Sequence, residues 1–157
     1  MMETRSQMDE IFQNLYGTTD QQIIKFWGKP DMRLHYLHVY KRNNLWLVLI
    51  YSDMQNNEIC VSGAAFFNKQ LELLWSKNVS LVSSQYYRGQ NELTVSEMVK
   101  ELGLPHGHGG SGISLLVYLM NNGKLLLAYY NDDDIEKVEI LPLTKIEGQQ
   151  NTGLLPG

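Results

Sequence analysis

The sequence predicts an α+β fold of two tandem repeats, each one or two short helices packed on a three- to four-stranded antiparallel sheet. Three observations predict it. One helix-like stretch, with its start and stop signals, occurs twice at a fixed offset. The segments after each copy alternate in character, and asparagine-rich turns separate them.

In chain order, Met8 to Tyr16 carries Ile11, Phe12 and Leu15 at helical spacing and predicts an opening helix. Thr19 to Pro30 then recurs as Thr94 to Pro105, every position offset by 75 residues. Thr19 with Gln22, and Thr94 with Glu97, form capping boxes, in which the hydroxyl accepts a free helix amide and the longer side chain reaches back. Gly28 and Gly103 stand where a helix ends on a left-handed residue, and Pro30 and Pro105 prevent continuation. Leu37 to Tyr40 parallels Leu115 to Tyr118, and Asn43-Asn44 parallels Asn121-Asn122, at an offset of 78; the second helix–strand loop is therefore three residues longer. One more residue enters at Gly123. Tyr51-Ser52-Asp53 then matches Tyr130-Asn131-Asp132, and Ile59 and Val61 fall opposite Val138 and Ile140.

The opener of the second repeat is expected around Val82 to Arg88, with Tyr86 and Tyr87. Ala64 to Phe67, a turn at Asn68-Lys69-Gln70 and Leu71 to Trp75 predict a hairpin that gives the first repeat a fourth strand. The chain divides into residues 1–75, residues 76–147 and a loose tail over 148–157.

A two-residue turn at Asn43-Asn44 sets the register of the first hairpin, because asparagine tolerates the positive φ such a turn needs. Counting outward pairs Val39 with Val48 and Leu37 with Ile50 on one side. Tyr40 with Leu47, His38 with Leu49 and Tyr36 with Tyr51 share the other. The aliphatic set is expected to face the helices and the Tyr/His set to face away. With Asn121-Asn122-Gly123 as a three-residue loop, Val117 and Leu127 face the helices, and Ser114, Tyr118, Leu126 and Tyr130 face away. A two-residue turn at Asn122-Gly123 is the competing reading and flips one strand relative to the other. Tyr36, His38, Tyr40, Tyr51, Tyr118 and Tyr130 are thus the candidate partner-binding residues, since tyrosine brings large contact area at low entropy cost. Internal packing of the repeats on each other through this face is the alternative, as is a dimer contact.

The bulk composition narrows the function. A hydrophobic content of 43% suits a folded core. The net charge of −4, with both signs interspersed, offers no basic stripe for phosphates, so no nucleic-acid partner is expected. Cys60 stands alone in an apolar run; a buried structural thiol is expected, and a reactive one would need an electropositive, exposed setting. Met1 to Glu10 is polar, and the apolar run Leu45 to Tyr51 is only seven residues, so no membrane span is expected and a cytoplasmic location is.

Each repeat, a capped helix ending in Gly-x-Pro (Gly28-Lys29-Pro30 and Gly103-Leu104-Pro105) followed by an Asn/Gly-turned antiparallel meander, resembles the repeat of the β-lactamase inhibitor protein family over residues 8–62 and 80–141. The single unit is also similar to the small outer-membrane lipoprotein of the barrel-assembly machinery. The resemblance implies two sheets forming a concave surface that grips a protein partner. That family is exported and disulfide-bridged, whereas this chain has one cysteine.

Little catalytic chemistry is legible. His106-Gly107-His108-Gly109-Gly110-Ser111-Gly112 could present amides, but the chain has no Gly-x-Ser-x-Gly elbow and the stretch lacks a Gly-Lys-Ser/Thr ending. A flexible loop insertion is the plain reading. His106 and His108, with Asp132, Asp133 or Asp134, would still need three or four convergent ligands to hold a metal. Asp132-Asp133-Asp134 lacks the glycine and closing glutamate of a calcium loop and reads as a solvated turn. His35 and His38 flank an aromatic strand. No enzyme activity, cofactor or metal is therefore expected. The leading expectation is a protein-binding module, inhibitor-like, whose aromatic sheet face meets a protein partner or a second copy. The alternative is a small-molecule or metal-binding protein using the His106–Gly112 loop.

Overall fold

The computed structural model describes residues 5–53, 58–86, 93–109 and 114–145. The fold is α+β. Helices α1 (Arg5–Leu15) and α2 (Asp20–Trp27) precede a five-stranded antiparallel sheet of β1 (Met32–Leu34), β2 (Leu37–Arg42), β3 (Leu45–Asp53), β4 (Ile59–Phe67) and β5 (Leu73–Lys77), in that order. Helix α3 (Val95–Leu102) precedes a four-stranded sheet of β6 (Gly107–His108), β7 (Leu115–Leu119), β8 (Lys124–Asn131) and β9 (Asp134–Pro142), again in sequence order. The sheets stack face to face, with α1 and α2 outside the first and α3 outside the second. Among the described residues no helix is long and apolar enough to cross a membrane.

Both capping boxes form. Thr19 and Thr94 accept from the amides of Gln22 and Glu97, whose side chains accept from the threonine amides at 2.8 and 3.0 Å. Both helices end on a glycine, but not a left-handed one. Gly28 has φ 79° and ψ −172°, and Gly103 has φ 87° and ψ −172°, an extended, positive-φ region that is essentially glycine-only. The carbonyl of each of these glycines then receives a tyrosine hydroxyl from its own sheet: Tyr40 donates to Gly28 at 3.0 Å and Tyr118 to Gly103 at 2.8 Å.

That pair of bonds belongs to a correction of the faces. The registers are those expected: Val39 opposite Val48, Tyr40 opposite Leu47, Val117 opposite Leu127 and Tyr118 opposite Leu126. Asn43 and Asn44 take φ of 49° and 67°, and the second hairpin uses a three-residue loop, Asn121 to Gly123. The sides, however, are reversed. Tyr40, Leu47, Leu49 and Tyr51 pack under Met8, Phe12, Leu15 and Ile23 of the helices. Tyr118 and Leu126 pack with Met98 of α3, and Tyr130 is partly buried against the same cluster. Leu37, Val39 and Val48 instead meet Leu115, Val117, Leu119 and Leu127 across the sandwich. The aliphatic face is flat enough for sheet-on-sheet packing, and the tyrosines lie where a helix end supplies an acceptor for a buried hydroxyl.

Other expectations shift. The hairpin after β4 forms, but β5 runs across the expected boundary at residue 75, so the first sheet extends to Lys77. Strands β1 and β6 were not predicted. Residues 81–86 form no helix: Val82 bridges Met120 in parallel, while residues 87 and 88 lie outside the described set, as does the tail 148–157. The last strands match differently from the count above. Tyr51 faces Val61 and Tyr130 faces Ile135, and a bulge follows in each repeat, so Val61 corresponds to Ile135 and Ala64–Phe67 to Val138–Leu141.

Because a Cβ at Gly28 or Gly103 would meet nothing within 4 Å, the cost of substitution there is conformational alone. Alanine at either site is expected to destabilise by about 1–3 kcal/mol, and asparagine, which a left-handed site would accept, by about as much. Urea unfolding of the four variants tests this, and an asparagine variant as stable as wild type contradicts the backbone geometry.

Candidate binding cleft

The candidate aromatic residues do not form one surface. Tyr40 and Tyr118 are fully buried, Tyr51 and His38 nearly so, and Tyr36 and Tyr130 half-buried. Tyr40 is further enclosed by the Trp27 ring at 5.5 Å and by the Arg42 guanidinium at 5.0 Å, and Arg42 itself donates to the Trp27 carbonyl at 2.6 Å. Burial pushes the Tyr40 and Tyr118 hydroxyls up to about 12.

His38 is the buried member of a polar cluster at the start of α2, whose Asp20 and Arg33 side chains are 33% and 37% exposed. Its Nε2 lies 2.9 Å from the His35 carbonyl and must carry the proton, since a carbonyl only accepts. Nδ1 then turns a lone pair toward Asp20 Oδ1 at 3.4 Å, and Asp20 Oδ2 accepts from Arg33 at 3.3 Å. The Tyr51 ring stacks on the imidazole, centroids 4.4 Å apart. Burial lowers the His38 pKa to about 4, outweighing the opposing pull of Asp20. Asp20 Oδ1, His38 Nδ1, Arg33 Nε and the Tyr51 hydroxyl make no direct hydrogen bond here. The His38 ring is 4% exposed while Asp20 reaches the rim of a surface hollow, and the pair serves to hold α2 on its sheet.

The two histidines of the glycine-rich stretch part company. His106 occupies the place of Asp31 in the repeat. The amides of both residues donate to the second-strand carbonyls of Val117 and Val39, at 2.9 and 2.8 Å. Both side chains then accept the amide two residues further on: Asp31 Oδ2 from Lys41 at 2.7 Å, and His106 Nδ1 from Leu119 at 2.7 Å. Nε2 of His106 donates to the Ser80 carbonyl at 2.9 Å. Both ring nitrogens are committed, so His106 is a structural crosslink and not a metal ligand, and burial holds its pKa below the ordinary value. His108 sits beside His35 and Tyr36, ring centroids 5.7 and 6.4 Å away, its pKa lowered by burial and by His35. Residues 110–112 of the stretch lie outside the described set.

Around His108 the repeats enclose a cleft of about 500 Å³. The second repeat supplies Leu102 to His106 and His108, the first supplies Tyr36 and Ile50 to Asp53, and Asn78 to Ser80 join them. Gly107 makes the close approach possible: a Cβ there would stand 2.6 Å from the Leu34 carbonyl oxygen. The cap at Gly103 turns the chain so that Leu104 projects, 79% exposed. Asp53 is the one formally charged residue of the lining, and burial keeps His106 and His108 neutral near pH 7. A second hollow, about 620 Å³, adjoins the start of α2, but Gln21, Gln22, Lys25 and Glu58 make it a polar surface depression.

The acidic turn has a role that the sequence reading missed. Asp133 Oδ1 accepts from the Ser96 amide and hydroxyl at 3.0 and 2.9 Å, capping α3 from the opposite strand turn. Cys60 is a buried free thiol. Among the described residues no three or more His, Cys, Asp or Glu side chains gather to hold a metal ion.

Histidines with lowered pKa make the fold acid-sensitive. The unfolded chain binds protons first as pH falls below about 6.5, so their contribution is fully present above that pH and is lost as pH falls toward 4. His38 alone is expected to account for up to about 3 kcal/mol of that loss. Urea unfolding at pH 7 and near pH 4 checks it: His38→Phe should show a smaller loss than wild type, and an identical loss contradicts the assignment.

Comparison with protein-family models, curated proteins and solved structures gives no match to this chain.

Proposed function

We propose that this chain is a non-enzymatic binding protein, and that it holds a small, largely apolar molecule without negative charge in the cleft between its repeats. The observation that carries the reading is the joint construction of the cleft, with Tyr36 and Ile50 from one repeat meeting Leu104 and His108 from the other. Its volume, about 500 Å³, falls among ordinary small-molecule sites of roughly 300–1,000 Å³. The lining supports an apolar body with a few polar contacts, and Asp53 without a lysine or arginine disfavours anions. Catalysis has less support, because the ring nitrogens of His106 are spent and His38 is closed off. The aromatic sheet face proposed from the sequence as a protein grip has less support too, with Tyr40 and Tyr118 beneath helices.

Nile red, an uncharged dye, is expected to bind saturably with blue-shifted emission, and an anionic naphthalene sulfonate more weakly. Leu104→Asp and Tyr36→Ala should each weaken Nile red binding by about tenfold, the effect of losing roughly 1.4 kcal/mol of contact. Absence of saturable binding, or binding indifferent to both substitutions, overturns the proposal.

A further inference from the structure

The two sheets do not end alike. In the first repeat the outer edge of β4 is covered in two places. Gly17 and Thr18 exchange hydrogen bonds with Val61, each 2.9 Å, and β5 pairs with Ala64 to Phe67. Strand β9 repeats the first cover: the Ile135 amide donates to Leu93 at 3.0 Å and the Val95 amide to Asp133 at 2.7 Å. It lacks the second. Among the described residues no strand pairs with the edge from Val138 to Leu141, the counterpart of Ala64 to Phe67, and Pro142 follows where the first repeat turns into its hairpin.

The direction of that edge follows from the ladder. Tyr130 donates its amide to Ser114 on the β7 side at 3.0 Å. By alternation Tyr129 and Leu127 bond across to Lys137 and Glu139, which leaves the amides and carbonyls of Val138 and Ile140 pointing outward. Val138 is also among the few large apolar side chains left exposed.

We propose that this edge is a self-association site, at which β9 of a second copy pairs antiparallel about a two-fold axis through Val138. Charge selects the occupant and the register. Centring on Val138 sets Lys137 opposite Glu139 of the second copy, and the symmetry repeats the pair; within one chain the two already pair at 3.5 Å, with side chains 63% and 34% exposed, so across the axis each exchanges its own partner for the equivalent one of the second copy. Centring on Ile140 instead sets Glu139 opposite Leu141, and Val138 opposite Pro142, which has no amide to give. The same charges, together with Pro142, discourage indiscriminate strand addition, so the edge is selective for its own kind. Because Leu93 to Val95 already occupy the edge at Ile135, the shared ladder covers only Glu136 to Ile140, and the dimer is a weak one.

Sedimentation velocity from about 5 to about 500 μM reads this out, the range in which a short interface of micromolar strength dissociates. Wild type is expected to shift from monomer to dimer. Lys137→Glu, which opposes like charges across the axis, should raise the dissociation constant about tenfold or more, and combining it with Glu139→Lys should restore it. Val138→Pro, which removes only an outward amide, should also give a monomer, with circular dichroism showing an intact fold. A monomer throughout the range, or a dimer indifferent to Lys137→Glu and Val138→Pro, overturns the proposal. Nile red binding by the same variants should be unchanged, which separates this edge from the cleft.

Discussion

The aliphatic layer between the two sheets is the constraint on which the remaining structure depends. Met32, Leu34, Leu37, Val39, Trp46, Val48, Ala65 and Phe67 of the first sheet bury themselves against Leu115, Val117, Leu119, Leu125 and Leu127 of the second, with Leu143 closing one end. Each of the Val, Leu, Met and Phe side chains contributes on the order of 1.5–3 kcal/mol by leaving water, so neither face is tolerable alone. The two halves resemble each other in sequence, and each serves as the other's core. Two glycines set how close they come: Gly107 lies against the Leu34 backbone and Gly123 against Leu71, each with room for a hydrogen but not a methyl. Once this layer is fixed, alternation along the strands assigns Tyr40, Tyr51 and Tyr118 to the helix side.

That assignment explains why the same tyrosine occurs in both repeats. A helix end leaves carbonyls without partners, and a buried phenol needs an acceptor. Tyr40 and Tyr118 meet both needs by donating to Gly28 and Gly103, whose positive φ presents the carbonyl to the sheet. The helix is therefore located by its terminus as well as by its apolar side chains.

Much of this was legible in the sequence. The capping boxes, the glycine stops and the registers about Asn43-Asn44 and Asn121 to Gly123 follow from local chemistry, which tertiary context did not override. Which face meets the helices was not, because alternation yields two sets of residues and no label for either. The hydroxyl's need for an acceptor was the available clue. Strands β1 and β6, three and two residues long, are too short to carry a period. The cleft was half legible: His106 and His108 drew notice for their glycines, while the offset that equates His106 with Asp31, and so gives it a structural task, went unread.

The cleft and the open edge both arise where the repeats differ, and the differences have one direction. Asp31, ion-paired with Arg42 at 3.2 Å, becomes His106, which reaches Ser80 and draws the linker across the sandwich. Met32, a core residue, becomes Gly107, which lets the helix–strand connection of α3 close on the first sheet. Nine residues separate Tyr51 from its partner Val61 but four separate Tyr130 from Ile135, so the second sheet has a tighter turn, from which Asp133 caps α3. Finally, Pro142 and the turn at Leu143, whose amide donates to Gly123 at 3.0 Å, end the second sheet where the first continues into β5. Most of these changes lie at the margins of the shared aliphatic layer, while the exchange of Met32 for Gly107 removes one side chain from it. Two sheets that must fill one core leave their rims free to differ, and among the described residues the rims hold the cleft and the edge from Val138 to Leu141 that no strand pairs.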